Sequence, residues 1–330
     1  MKKKAMLIAA GALVIIVALF LIVREKPFEQ KFQETTANLT SYLLEGDMEI
    51  TKGEDIKSYA IAVKYLKEQE EDYFSVAFTD KDLNQTQEII RNKEGVYVIT
   101  PALNQIFKFE GNWPTNSIKP YLLQSMNEIM QEESIQCEKN DDGYKVTAEV
   151  SYPNNKNFVQ QEMFFDQDAK ISYLEIFNSD HVSQLKIAFS KVEYEPDLTV
   201  EDFTVPQQLE KSTASSNVME EDLPLLPMET LDATLTNSST LENDGTLQHI
   251  LEYSGEKSFT IVEQLAKSED TTQTIIMSGD LVDAISLLGR YDGTQMSTII
   301  DSIQYTIYSE DLDEQEMAAV LSSMQVVVMK

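Results

Sequence analysis

The chain reads as a mainly β protein with a few helices: an N-terminal transmembrane helix, a large antiparallel sheet, and a small α+β unit at the end. Three observations predict this. Ala5 to Val23 is one unbroken run of apolar or small residues behind Lys2, Lys3 and Lys4. Short stretches of alternating apolar and polar residues, separated by turn chemistry, fill the chain from Ser41 to Val192. A stripe of Met317, Val320, Leu321 and Met324 then closes the sequence at helical spacing.

The apolar run comes first. At about 1.5 Å per residue it extends close to the roughly 30 Å thickness of a bilayer core. It ends Leu21-Ile22-Val23-Arg24-Glu25-Lys26, without the small residues of a cleavage site, so it is expected to stay as an anchor. A cleaved signal is the alternative. The lysines at the N-terminus should remain cytoplasmic, which places the bulk of the chain outside the cell membrane. Lipid attachment directly after the run would need a cysteine there, and the chain's single cysteine is Cys137. One cysteine also excludes an internal disulfide and a multi-cysteine zinc cluster.

Composition narrows the partners. The formal net charge is -30, and the only cluster of basic residues flanks the apolar run. Nucleic acid is therefore disfavoured, since backbone binding needs a basic patch, and docking of the domain face on anionic lipid is disfavoured for the same reason. Acidity of this kind keeps an exposed domain soluble. With 330 residues, 42% of them apolar, there is material for two packed units.

The elements follow in order. Pro27 to Thr40 carries a short helical pattern with Phe28, Phe32 and Leu39. Strands are expected around Tyr42/Leu44, Met48/Ile50, Tyr59 to Tyr65, Tyr73 to Phe78, Glu88 to Arg91, Val96/Val98 and Ile106 to Phe109, with turns such as Asn92-Lys93-Glu94-Gly95. A helix is expected over Ser117 to Glu132, with Ile118, Tyr121, Leu122, Met126, Ile129 and Met130 on one face. Strands resume at Tyr144 to Tyr152, Met163 to Phe165, Ile171 to Phe177 and Leu185 to Val192. About ten strands in one segment make a sheet that must curl or close to bury its inner face.

The expected division is 1–26 for the anchor, 27–206 for the sheet domain, 207–227 for a linker and 228–330 for the C-terminal unit. The linker is rich in Ser, Thr, Glu and Pro. The C-terminal unit has candidate strands at Leu247 to Tyr253, Ser258 to Leu265, Thr272 to Met277, Asp280 to Leu288 and Ile299 to Tyr308. Its last helix is expected to open on Asp311, with Glu314 completing a capping box.

Catalysis needs a prepared base or nucleophile, and the sequence offers only His181 and His249, in different expected units. His181 follows Asn178-Ser179-Asp180 in a turn, and His249 takes an outward position on a strand. Glu220-Glu221-Asp222 and Asp141-Asp142 fall in linker and turn contexts, and Asp166-Gln167-Asp168 lacks the further oxygens of a calcium site. No phosphate loop, dinucleotide fingerprint or nucleophile elbow is present. The expectation is a protein that is not an enzyme and uses no cofactor or metal. Trp113-Pro114, the only tryptophan, reads as the hinge or anchor of the inserted helix, with partner contact as the alternative.

In Asn92-Lys93-Glu94-Gly95-Val96-Tyr97, the step Thr100-Pro101-Ala102-Leu103-Asn104-Gln105, and the closing Asp202-Phe203-Thr204-Val205-Pro206, the chain resembles the LolA-like lipoprotein-carrier fold family. Among its members it is similar to the Gram-positive sporulation and germination proteins such as GerS and YdcC. The resemblance spans about residues 29 to 206, and the tail from Ile275 looks like a small uncharacterised domain appended in such proteins. It implies a strongly curved open antiparallel sheet, a half-barrel, with a helical lid over an apolar cup. Such a cup suits an acyl chain, because each buried methylene contributes about 0.8 kcal/mol.

The residues that would line the cup are Tyr59, Tyr65, Phe74, Phe78, Tyr97, Phe107 and Phe109 from the strands, with Leu122, Met126 and Met130 from the lid. Alternation alone does not say whether their face meets a helix or an open cavity, and ordinary core is the competing reading. Carrier members are soluble, whereas a chain held by Ala5 to Val23 is fixed in place, which favours local hand-off, scaffolding or sensing. Two functions remain: a tethered protein that holds a lipid acyl chain or lipoprotein, or an interaction module with a packed core that docks on a cell-envelope protein. Bridging by the C-terminal unit is a third.

Overall fold

A computed structural model describes residues 26–325 apart from 54, 112, 115–118, 133, 153–154, 211–217, 244 and 286. The expected anchor, Ala5 to Val23, lies outside the described residues. Among those described, no helix is long and apolar enough to cross a membrane.

Helix α1 (Phe28–Thr36) buries Phe28 and Phe32. The Phe28 ring stacks on Tyr144 at 4.2 Å, and Phe32 meets Phe165 edge-on at 4.9 Å. A run of hairpins follows: β1 (Ser41–Lys52), β2 (Asp55–Glu68), β3 (Glu71–Asp80), β4 (Gln85–Asn92), β5 (Gly95–Thr100) and β6 (Gln105–Phe109). Helix α2 (Leu123–Ile129) then leads to β7 (Gln136–Lys139), β8 (Tyr144–Glu149), β9 (Gln160–Phe165), β10 (Ile171–Phe177) and β11 (Ser183–Tyr194). The turns hold as their chemistry predicts. Asn140 Oδ1 accepts the N–H groups of Asp142 and Gly143, and a Cβ on Gly143 (φ +156°) would fall 1.9 Å from the Phe165 carbonyl oxygen.

The remaining strands are β12 (Leu226–Pro227), β13 (Thr234–Asn243), β14 (Thr246–Ser254), β15 (Phe259–Leu265), β16 (Gln273–Met277), β17 (Asp280–Asp283), β18 (Leu288–Tyr291), β19 (Gln295–Ile300), β20 (Ile303–Tyr308) and β21 (Met324–Gln325), with helix α3 (Glu314–Ser322) before the last. The first sheet is twelve-stranded and open, in the order β16-β6-β5-β4-β3-β2-β1-β11-β10-β9-β8-β7. The second has seven strands, β13-β14-β15-β20-β19-β18-β17. The fold is thus mainly β with few helices, in open sheets.

Three elements depart from the sequence expectation. The helix expected from Ser117 is only seven residues long, because Pro120 has no N–H to give and disfavours helical backbone at Lys119. Tyr121 and Leu122 therefore sit in the turn before it. The last helix opens on Asp313, two residues after the expected Asp311: Asp313 Oδ1 accepts the Glu316 N–H at 2.9 Å and Glu316 Oε2 accepts that of Asp313 at 3.1 Å. Strand β16, read as part of the C-terminal unit, crosses back to become the edge of the first sheet, parallel to β6. Asn104, at a left-handed φ of 58°, directs that crossing: its amide donates to Glu269 O and its carbonyl oxygen accepts from Thr272 Oγ1.

The second half of the stretch read as linker is packed. Leu223 and Leu225 are buried in the core of the second sheet, and β12 pairs with β21. Two side chains hold this strap. Glu220 Oε1 lies 2.9 Å from Nε2 of His249, so His249 faces inward and is buried, contrary to the outward placement expected for it, and Glu220 is not simply a solvated acid. Glu263 Oε2 accepts the Leu225 N–H at 2.9 Å. Its Oε1 is buried with no partner among the described residues.

Burial pushes the Glu263 carboxyl from its ordinary 4.5 up to about 7. The folded chain thus holds a proton that the unfolded chain has released between those values, so its contribution is complete below pH 4.5 and is lost as pH rises through 7. Glu263→Gln should raise unfolding free energy at pH 8 relative to pH 5 by up to about 3 kcal/mol more than wild type shows, in urea titrations at the two pH values.

Candidate functional site

The register of the first sheet decides which aromatics share a face. Tyr42 opposes Tyr65 and Met48 opposes Tyr59 across β1–β2, while Tyr65 opposes Phe74 and Ile61 opposes Phe78 across β2–β3. Val98 and Val96 oppose Phe107 and Phe109 across β5–β6. Tyr59, Tyr65, Phe74, Phe78, Phe107 and Phe109 therefore belong to one inner face, the one that α1 and α2 cover.

That face is largely filled. Tyr65, Phe74, Leu122, Met126 and Met130 are buried in the core that the sheet shares with α1 and α2, Met126 completely. Tyr97 is not on this face at all. It pairs with Lys108, lies on the opposite side of the sheet, and packs with Tyr73, Ile99, Ile106 and Phe203 in a separate cluster. Its strand is buried on both faces because the segment around Phe203 covers the outer side, so alternation in β5 gave no warning.

The other four candidates, Tyr59, Phe78, Phe107 and Phe109, line two recesses where the second sheet lies against the first. Tyr59 and Phe78 border a small one of about 80 Å³ together with Ile285 and Leu287. Phe107 and Phe109, with Met277 beside them on β16, border a cleft of about 260 Å³ whose other wall is Leu281, Leu288 and Ile299. Thr100 borders both, is buried, and its hydroxyl has no hydrogen-bond partner among the described residues. Arg290 stands at the larger cleft. Its Nε and Nη2 are engaged by Ser278 and Asp292, whereas Nη1 makes no hydrogen bond to a described residue.

A buried polar cluster fixes the seam. Asp283, at the end of β17, points its carboxylate into the first unit, where Oδ2 accepts the indole N–H of Trp113 at 3.0 Å and the Tyr121 hydroxyl. Lys119 Nζ stands 3.8 Å from the same oxygen and donates to the Asp283 carbonyl at 3.3 Å. Oδ1 accepts the Ile285 N–H at 3.0 Å. All four side chains are essentially without solvent exposure. Burial, with the Asp283 charge beside it, holds the Tyr121 phenol well above its ordinary range. A second ion pair, Lys57–Asp301 at 2.7 Å, lies at the same seam.

Trp113 is thus the anchor of the inserted segment, as its sequence context suggested, and its partner is a carboxylate from the far end of the chain. Asp283 and Lys119 were not identified from the sequence. The available signal was a lone acid inside the apolar run Leu281-Val282-Asp283-Ala284-Ile285, since an unpaired buried carboxylate is costly and must find donors. His181 stacks on Phe177 in an exposed turn, as expected. Cys137 is half-buried on β7, and burial raises its thiol to about 11. Among the described residues no group of three or more His, Cys, Asp or Glu could hold a metal.

No family model matches the chain. It is, however, similar to a sporulation protein. YdcC of Bacillus subtilis is 27% identical over 302 residues, 88% of each chain, in agreement with the resemblance read from the sequence. Among solved structures, the MucA/MucB complex of Pseudomonas aeruginosa covers 91% of this chain and 99% of its own at 11% identity and a TM-score of 0.34. A LolA superfamily protein from Nitrosomonas europaea covers 53% and 95% at 11% identity and a TM-score of 0.28.

Removing the Asp283 carboxylate takes the shared acceptor from the Trp113 indole N–H and the Tyr121 hydroxyl and the nearby negative charge from the buried Lys119 ammonium. Asp283→Ala should therefore cost about 3–5 kcal/mol in denaturant unfolding, and Lys119→Met combined with Asp283→Leu should recover part of that loss. Equal losses in the single and double variants would mean that the ion pair itself carries little of the effect.

Proposed function

We propose that this chain is a non-catalytic protein of the cell envelope that binds the acyl chain of a lipid or lipoprotein in the cleft between its two sheets. The supporting observation is the 260 Å³ recess lined by Phe107, Phe109, Met277, Leu281 and Leu288, with the buried, unpartnered Thr100 hydroxyl at its wall. Its volume lies just under the range of ordinary small-ligand sites, which suits part of one chain. Nη1 of Arg290 supplies donors for an anionic head group, so the apolar wall takes the methylenes and the rim takes the charge.

The reading narrows the sequence expectation, which spread the site over the whole inner face. Similarity to a sporulation protein supports a role in spore-forming cells. Ala5 to Val23 would tether the protein with its bulk outside, so that any lipid is handed on locally rather than carried away. A second reading is favoured by the closed interior around Met126 and by the seal of Trp113, Lys119, Tyr121 and Asp283: an interaction module that docks on an envelope protein and takes no ligand.

Titration of the purified full chain with a fluorescent fatty-acyl probe, alongside native mass spectrometry, separates the two. Saturable binding that weakens at least tenfold in Phe107→Asp and Met277→Asp, with both variants retaining the wild-type circular dichroism spectrum, is the expected result. A bare mass and no saturable binding would leave the interaction module as the function.

A further inference from the structure

The two open sheets present four edge strands, and three of them are short: β7 has four residues, β16 five and β17 four. The fourth, β13, has ten, and every one is exposed. Proteins guard such edges by keeping them short or by placing lysine or proline on them, because a bare row of N–H and C=O groups pairs with any extended chain. The β13 sequence, Thr-Leu-Thr-Asn-Ser-Ser-Thr-Leu-Glu-Asn, contains neither lysine nor proline.

Its geometry is that of a usable template. From Asn237 to Asn243 the register with β14 runs unbroken, the irregularity being confined to Thr236. Among the described residues, nothing pairs with the outer side. Leu235 and Leu241 are 42% and 53% exposed, the first opposite Tyr253 and the second opposite Gln248, so each face of the sheet offers an incoming strand one apolar neighbour.

Charge selects the occupant. Between Ser212 and Glu256 the sequence has nine acidic residues and no lysine or arginine, and β13 lies within that stretch. Two copies of this edge would bring two such acidic stretches together, whereas a cationic chain is attracted and steered to it. We propose that β13 is the docking edge for an extended, cationic segment of a second protein, which adds as an outer strand to the second sheet. The edge lies at the opposite end of that sheet from β17 and β18, which border the apolar cleft, so the two sites are separate.

The probe is a ten-residue peptide of alternating lysine and valine, compared with the same peptide N-methylated at every second residue, which keeps the charge and removes the donors of one edge. With the full chain in detergent, the unmodified peptide should slow amide exchange across 234–243 and bind at least tenfold more tightly than its methylated form. Asn237→Lys with Ser239→Lys should abolish the difference while leaving the circular dichroism spectrum unchanged. Of Ser238→Pro and Ser239→Pro, whose N–H groups point to opposite sides, only one removes an outward donor, and that one alone should lose the peptide while keeping the β13–β14 pairing. Equal binding of both peptides, no binding, or protection of β13 through dimerisation without peptide would each overturn the proposal. Phe107→Asp should not affect this binding, so failure here is independent of failure at the acyl cleft.

Discussion

The arrangement of the two sheets depends on one buried carboxylate. Removing Asp283 and Lys119 from water costs several kcal/mol per ion, and their mutual attraction alone does not guarantee repayment. The difference is made by neutral donors: the indole of Trp113, the hydroxyl of Tyr121 and the backbone N–H of Ile285 all converge on the same carboxylate. An apolar contact of similar area would tolerate sliding, because it is not directional. The Ile285 amide fixes the carboxylate's orientation on its own segment, and the hydrogen bonds from the two rings across the seam admit one placement of β17 over the turn at Tyr121. That placement in turn sets Leu281 and Leu288 opposite Phe107 and Phe109, which defines the cleft.

The cluster also explains why the inner face is not an open bowl. Trp113 meets Phe74 edge-on at 6.1 Å and Tyr121 meets Phe78 at 5.4 Å, so the residues that reach Asp283 also cap the aromatic strands. Beneath them α1 and α2 fill the remaining volume. Tyr42 donates to the Gln124 side chain at 2.6 Å, which ties β1 to the start of α2. The apolar cleft lies at the margin, where two sheets that do not interdigitate fully leave a gap beside β6 and the edge strand β16.

Much of the fold was legible in the sequence, because period-2 alternation and turn residues such as Asn92-Lys93-Glu94-Gly95 are local signals. The strands from β1 to β6 and from β8 to β11 follow from them. The inner face was legible only in part: Tyr59, Tyr65, Phe74 and Phe78 lie on long hairpins whose register the turns fix, but Tyr97 lies on a strand buried on both faces, where alternation carries no sign. The long-range features were not legible. The parallel return of β16 depends on Asn104 meeting Glu269 and Thr272, more than 160 positions along the chain, and the partners of Asp283 lie as far away in the other direction. His249 was misplaced because its partner, Glu220, lay in a segment whose composition suggested a linker. Composition describes average solvation and does not register two buried leucines in a strap.

The second sheet is consequently asymmetric in its constraints. At one end β17 is held by a carboxylate whose donors come from the first unit and has no freedom to pair with anything else. At the other, β13 pairs only with β14, and apart from Leu235, Leu241 and Glu242 its side chains are threonine, serine and asparagine, which neither repel a neighbouring strand nor form a core of their own. A sheet needs one face buried to be stable, and β15, β20 and β19 satisfy that under α3 and the strap at Leu223 and Leu225. Strand β14 still contributes Leu251 and Tyr253 to that core, but β13 extends beyond the cover, so it gains little from burial, and its ladder with β14 is the main interaction holding it straight. A strand kept extended and bare at that cost, within a stretch that carries negative charge only, is accounted for by a partner whose backbone completes the ladder and whose charge offsets that of the edge.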